Sequence, residues 1–249
     1  MIRYLYSTVF ILLASFSSAF AATSDSPVKD FSASYEVYKN NFFLGNTKRK
    51  LTTRENMLTY TAVTETAGIA AWFFDIKIVE TSKLMYNNDS LTIHSYKYDE
   101  KNKDKHTIHQ LYIDDSKQLY NSYTRQQYPI TKNLHDGLGF SIAMMHDLQK
   151  GQRELKYTIA EKENLKDYHI KFVGKEKLPL YSGYLDTIKI EHTNPNTKDR
   201  FTFWCVESMG FLPVRIQNIK DNGDKVLLNL THFNQEEFHI KIDEDDAFK

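Results

Sequence analysis

Phe31-Ser32-Ala33-Ser34-Tyr35-Glu36-Val37-Tyr38-Lys39-Asn40-Asn41 carries the pattern from which the fold follows. Phe31, Ala33, Tyr35 and Val37 alternate with Ser32, Ser34 and Glu36, so an extended chain would turn one apolar face inward and one polar face to water. Lys39-Asn40-Asn41 then ends the run with residues that tolerate a tight turn. The same grammar recurs outward from this stretch. Trp72, Phe74, Ile76 and Ile78 alternate with Phe73, Asp75, Lys77 and Val79. Later runs are Leu155/Tyr157/Ile159, Tyr168/Ile170/Phe172, Val226/Leu228/Leu230 and Phe238/Ile240/Ile242. Asn87-Asn88-Asp89, Asp114-Asp115 and Asp221-Asn222-Gly223 supply the turns. Gaps this short join antiparallel neighbours, because a parallel pair needs a crossover of about a dozen residues or more. The pattern predicts about a dozen strands.

One segment departs from period two. Between Leu138 and Lys150, Leu138, Ile142 and Met145 follow helical spacing, reinforced by Phe140, Met144 and Leu148. Asp136 is placed to cap its start and Gly151 to follow its end. Such a helix is expected to lay one face on the concave side of the sheet, either as a structural plug or as a lid over a cavity. Met144 and Met145 suit the second role because methionine fills irregular apolar space.

The composition limits the function classes. Hydrophobic residues make up 41% and aromatics 14%, enough to build a core. Thirty-two basic side chains balance 32 acidic ones, which argues against a nucleic-acid-binding protein with its basic footprint. A single cysteine leaves no intramolecular disulfide framework and no cysteine-based zinc site. Beyond the N-terminus no run approaches the roughly 20 apolar residues of a membrane helix.

Residues 1–21 read as a secretory signal peptide. Arg3 supplies the positive end, Val9 to Leu13 lie in the apolar region, and Ala19-Phe20-Ala21 forms the cleavage site. No cysteine follows the apolar run, so lipoprotein processing there is excluded. The expected location is the periplasm, with residues 22–30 an exposed segment, 31–233 the β-rich domain, and 234–249 a final strand with an acidic tail at Asp243 to Asp246. Cys205 alternates onto the face of Phe201 and Phe203 and is expected to be a core filler.

Catalytic constellations are scarce. His106 and His109 would point to opposite faces of a strand, and His135 and His146 are too far apart along the chain to share a metal ion. There is no Gly-x-Ser-x-Gly elbow and no glycine-rich phosphate loop. Glu161/Glu163 read as a solvated pair, and Lys48-Arg49-Lys50 and Lys97 to Lys105 as locally cationic surface.

Taken in order, several blocks resemble the exported bacterial proteins of domain of unknown function 3108. They are Tyr35-Glu36-Val37-Tyr38, Leu44-Gly45, Tyr60, Ala67-Gly68-Ile69-Ala70 and Ile78-Val79-Glu80-Thr81-Ser82. Tyr96-Lys97-Tyr98, Asp136-Gly137-Leu138, Phe203-Trp204, Leu212-Pro213-Val214-Arg215-Ile216 and Asn222-Gly223 follow. The resemblance implies a periplasmic, β-rich domain similar to the curved sheets that carry lipoproteins or lipids, and it implies no catalytic residues.

The sequence therefore predicts a mainly β protein: a single strongly curved antiparallel sheet or open half-barrel, with one central helix packed on the concave side. A transmembrane barrel is disfavoured because most runs fall short of the about 9–11 residues needed and are lysine-rich. The expected function is non-enzymatic: binding or carrying an apolar ligand, or a lipoprotein or lipid segment, with no cofactor, no metal and no nucleic acid. Trp72, Phe74, Phe140, Met144, Met145 and Trp204 are the expected lining residues. The alternatives are a structural envelope factor acting through protein contacts and a hydrolase with an unrecognised site.

Overall fold

A computed structural model describes residues 26–180, 183–193, 199–235 and 238–241 of the chain. The leader expected over residues 1–21 and the acidic tail at Asp243 to Asp246 lie outside the described residues.

The alternating runs form strands. β1 (Phe31–Lys39), β2 (Phe42–Arg54), β3 (Met57–Thr66), β4 (Lys77–Asn87), β5 (Ser90–Lys101) and β6 (His106–Ile113) make a meander. It continues into the short β7 (Leu119–Asn121) and β8 (Gln126–Tyr128), and α1 (Ile69–Phe73) sits between β3 and β4. β9 (Leu134–Asp136) leads into α2 (Phe140–Gln149). A second meander follows: β10 (Glu154–Ala160), β11 (Leu165–Leu180), β12 (Gly183–Thr193), β13 (Arg200–Val206), β14 (Leu212–Ile219) and β15 (Lys225–Gln235). β16 (Phe238–Lys241) pairs with β15 at the end.

All these strands belong to one sheet, ordered β8-β7-β6-β5-β4-β3-β2-β1-β15-β14-β13-β12-β11-β10-β9, with β16 added beside β15. β1 joins the two meanders by pairing with β2 on one side and β15 on the other. The pairs are antiparallel except β9–β10, which is parallel. That exception has a local cause, since the intervening α2 supplies the crossover that a parallel pair requires. Turn chemistry sets the hairpins: Asn40 and Asn41 take φ of 50° and 68°, and Asn88 and Asp89 take 49° and 58°, the left-handed pair of a two-residue turn. β-Bulges in β1, β4–β5, β11–β12 and β13–β14 bend the sheet. Gly45 serves close packing of neighbouring strands, since a Cβ there would lie 2.0 Å from the Glu65 carbonyl oxygen.

The sheet curls into a barrel without closing. Its edge strands β8 and β9 do not pair, and side chains bridge the seam instead. The Ser82 hydroxyl on β4 donates to Asp136 Oδ2 on β9 at 2.6 Å. Asn121 Nδ2 on β7 donates to the carbonyls of Glu161 and Lys162 in the β10–β11 turn.

α2 is buried on nearly every side rather than on one face. Leu138, Ile142 and Met145 pack into a core shared by the first meander and strands of the second, whereas Phe140, Ala143, Met144 and Leu148 pack into one built from the second meander alone. A helix that is apolar all round is one wrapped by its surroundings, and here the sheet wraps it. Its first residue is Phe140 rather than Leu138, and its cap position is Gly139. Asp136 acts one step earlier, its Oδ1 accepting the N–H groups of Leu138 and Gly139 at 2.9 and 2.7 Å. Gly151 follows the helix as expected, at φ 81°.

Two further expectations are corrected. Within the segment expected to be exposed, Val28 is instead buried in the core and the Ser26 hydroxyl bonds Thr53, while Lys29 and Asp30 are exposed. Trp72 to Val79 is not one strand: residues 69–73 are helical and β4 begins only at Lys77. The alternating pattern there placed Trp72 and Phe74 inside, but the chain crosses the barrel end at this point.

Candidate functional site

Antiparallel hairpins alternate between the two ends of the barrel, and α2 makes those ends different. The β1–β2, β3–β4, β5–β6, β10–β11, β12–β13 and β14–β15 connections leave one end, called here the upper. α2 runs away from it. At the helix's far end, Lys150 Nζ donates to the Asp89 carbonyl in the β4–β5 turn, and Gln149 Nε2 donates to the Gly210 carbonyl in the β13–β14 turn. The helix plugs the lower half and leaves space above its N-terminus.

That space is a cavity of about 220 Å³. Phe140 at the helix start, Phe201 and Phe203 on β13, Ile216 on β14 and Val226 and Leu228 on β15 give it apolar lining. Arg49 from β2 and Glu80 from β4 add polar groups, as does Asn218 on β14, set between Phe201 and Val226 in the sheet. A second recess of about 350 Å³ meets the first at Gly137 and is lined by Tyr96, Tyr98, Glu100, His109 and Lys162, among others.

Arg49 points inward because it shares parity with Thr47 and Leu51, both buried, while Lys48 and Lys50 are exposed. Its guanidinium lies 5.3 Å from the Tyr35 ring centroid. Burial opposes its charge, but interactions with Tyr60, Tyr35 and Glu80, including a hydrogen bond with Tyr60, more than offset this and raise its pKa. Glu80 follows across the sheet: Arg49 opposes Ala62, which opposes Glu80, which opposes Tyr98. The Tyr96 hydroxyl donates to Glu80 at 2.7 Å. Two polar atoms remain unspent. Arg49 Nε and Asn218 Oδ1 are both shielded from solvent and have no hydrogen-bond partner among the described residues. One is a donor and one an acceptor, and leaving such groups unpaired is costly.

Asp136 underlies the junction of the two recesses. Ser82 and the two backbone amides favour its charged form, but complete burial outweighs them and pushes its pKa up to about 6. Gly139 makes this arrangement possible, since a Cβ there would come within 2.3 Å of Ser82 Oγ and 2.8 Å of Asp136 Oδ2.

Of the six expected lining residues, only Phe140 borders the cavity. Met144 and Met145 are fully packed core on opposite faces of α2. Trp204 faces away from Phe203 on β13, and its indole N–H donates to Glu176 at 2.9 Å under Lys189 and Arg215. Trp72 and Phe74 are exposed outside the barrel. The reading from sequence missed Arg49 and Asn218. The signal for Arg49 was present, as an arginine on the buried parity of an alternating strand.

A separate polar recess of about 530 Å³ lies at the lower end, lined among others by Asp89, His135, His146, Asp147, Lys150 and Tyr157. His135 and His146 both line this recess, because the chain reverses at Gly137 to Gly139, but their ring contacts are with Tyr157 and Tyr86 respectively. The charged groups here pair among themselves: His146 Nε2 is 3.5 Å from Asp89, Lys150 pairs with Asp89, and the Tyr157 hydroxyl donates to Asp147. Among the described residues no group of three or more His, Cys, Asp or Glu is placed to hold a metal ion. Cys205 is buried, and burial pushes its thiol up, away from nucleophilic use.

Fold and cavity together define an incompletely closed β-barrel built around a buried helix. The chain belongs to the family described as protein of unknown function (DUF3108), whose model matches residues 34–230. Among solved structures it is similar to the beta-barrel-like protein of domain of unknown function DUF1849 from Brucella abortus. The two are 8% identical, with a TM-score of 0.52 over 85% of this chain and 99% of that one. No curated protein matches the chain. Among the described residues no helix is long and apolar enough to cross a membrane.

Proposed function

We propose that the protein is a non-enzymatic carrier of the periplasm that holds an amphipathic ligand in the upper cavity, with its apolar chain against the phenylalanines and its head on Arg49 and Asn218. The observation that carries this reading is the pair of unspent buried atoms, Arg49 Nε and Asn218 Oδ1, in a cavity whose lining also holds Glu80 and Ser141 but is mostly apolar, with Phe140, Phe201, Phe203, Ile216 and Leu228. Pockets of this kind, mostly apolar with a few convergent polar groups, are built for small ligands. The unpaired donor asks for an oxygen acceptor and the unpaired acceptor asks for a hydroxyl or N–H. A carboxylic or hydroxylated head on a single acyl chain meets both demands, and the modest volume favours one chain over two.

Native mass spectrometry of protein purified from the exported fraction without detergent tests this directly. Extra mass that disappears on denaturation, identified as an acyl compound, is the expected result. Displacement of a fluorescent fatty acid then measures the head contact. A charge-assisted hydrogen bond contributes about 1.5–3 kcal/mol, so Arg49→Met should weaken binding of the acid about 10- to 100-fold. An uncharged alcohol of the same chain length should be affected less. A clean apo mass together with no saturable binding of either compound would refute the carrier reading.

A further inference from the structure

The upper rim carries an apolar cluster that nothing among the described residues covers. Ile69, Trp72 and Phe73 of α1 are 80%, 83% and 70% exposed, and Phe42 in the β1–β2 hairpin is 76% exposed. Phe74 and Phe43 are also exposed. The two turns stand side by side, since a Cβ on Gly68 would touch the Phe43 ring at 3.7 Å. The β5–β6 turn joins them through Lys103, whose Nζ donates to the Trp72 carbonyl at 3.0 Å. A contiguous exposed patch of this size and character marks an interaction site.

We propose that this rim docks on a lipid bilayer surface containing anionic headgroups, with α1 and the β1–β2 tip inserted at the interface and the mouth of the cavity turned toward the membrane. The inference rests on the carrier reading above. Three observations favour a bilayer over a protein. First, the side chains protrude from tight turns and border none of the recesses described above, so they form spikes rather than a groove for a peptide. Second, the chemistry is that of an interfacial anchor, a tryptophan and phenylalanines beside a lysine-rich turn. Within Lys101-Asn102-Lys103-Asp104-Lys105, three lysines against one aspartate leave a net charge of +2, and all three lysines are exposed. Third, the cluster stands at the same barrel end as the cavity, where a ligand leaving a membrane would enter.

Trp72 is also the reporter. The only other tryptophan, Trp204, is buried, so a Trp204→Phe background isolates the signal. Protein from the exported fraction is mixed with phosphatidylethanolamine vesicles containing or lacking phosphatidylglycerol, and both sedimentation and emission are recorded. Co-sedimentation, a blue shift of Trp72 and weakening at high salt are expected with the anionic vesicles. W72S/F73S should lower vesicle partitioning at least about 10-fold while leaving fatty-acid binding in solution unchanged. Wild-type protein that neither sediments nor shifts, or a double variant that sediments equally well, overturns the docking proposal. So does concentration-dependent self-association that is lost in W72S/F73S, because the rim would then be a contact between copies. If fatty-acid binding fails in the wild type while vesicle binding persists, the carrier reading is what falls.

Discussion

Replacing Asp136 by Asn should make the fold more sensitive to acid than the wild type. Asp136 and its neighbour His135 are both buried at the turn from β9 into α2, and burial moves them in opposite directions. His135 is depressed from 6.5 to about 4, while Asp136 is raised from 3.8 to about 6. The histidine is neutral in the fold but takes a proton more readily when unfolded, so its contribution is present above pH 6.5 and is lost as pH falls through 4. The carboxyl is held neutral by the fold, so its contribution is present below 3.8 and is lost as pH rises through 6. At about 1.36 kcal/mol per unit, the two gaps correspond to about 3.4 and about 3 kcal/mol. Between pH 7 and pH 4 the histidine therefore removes about 3 kcal/mol and the aspartic acid returns somewhat over 2, leaving a change within about 1 kcal/mol. Asp136→Asn keeps an acceptor for the Leu138 and Gly139 amides and an NH₂ for Ser82, but it cannot titrate. Its stability should therefore fall by somewhat over 2 kcal/mol more than that of the wild type over that interval. His135→Phe keeps the edge contact with Tyr157 and should show the reverse slope. Urea midpoints at pH 7, 5.5 and 4, with unchanged m-values, read these slopes. If Asp136→Asn tracks the wild type in parallel across the range, the assignment of opposed buried titrations is wrong.

Other consequences are checked more simply. Gly45→Ala forces a Cβ into the Glu65 carbonyl and should lower stability by about 3 kcal/mol or more in urea unfolding, an overpacking penalty against backbone that cannot give way. Cys205 should resist thiol reagents in the native protein and react only at the rate of unfolding, whereas fast stoichiometric labelling would contradict its burial. Arg49→Met should weaken acid binding in fluorescent fatty-acid displacement, and W72S/F73S should lower vesicle partitioning about 10-fold or more without touching that binding.

Much of the architecture was written in local patterning. Phe31/Ala33/Tyr35 and Leu155/Tyr157/Ile159 alternate as strands must, and Asn40-Asn41 and Asn88-Asp89 are turns for the same steric reason in any context. The helix over 140–149 was legible because its apolar spacing broke period two. Its complete burial was less so, since an all-round apolar surface follows from a sheet that wraps it, and wrapping is a property of the assembled strands. Trp72 and Phe74 show the limit most clearly. Their alternation with Phe73 and Asp75 looked like a strand, yet α1 replaces it at the barrel end.

The sequence by itself determined a mainly β chain of antiparallel hairpins with one central helix, because side-chain parity and turn chemistry act over a few residues. Only the tertiary structure decided which residues face the cavity. Arg49, Glu80, Asn218 and Phe203 come from strands far apart in sequence, and their meeting depends on bulges, sheet curvature and the point where α2 stops filling the barrel. Those are consequences of long-range packing, and no local pattern encodes them.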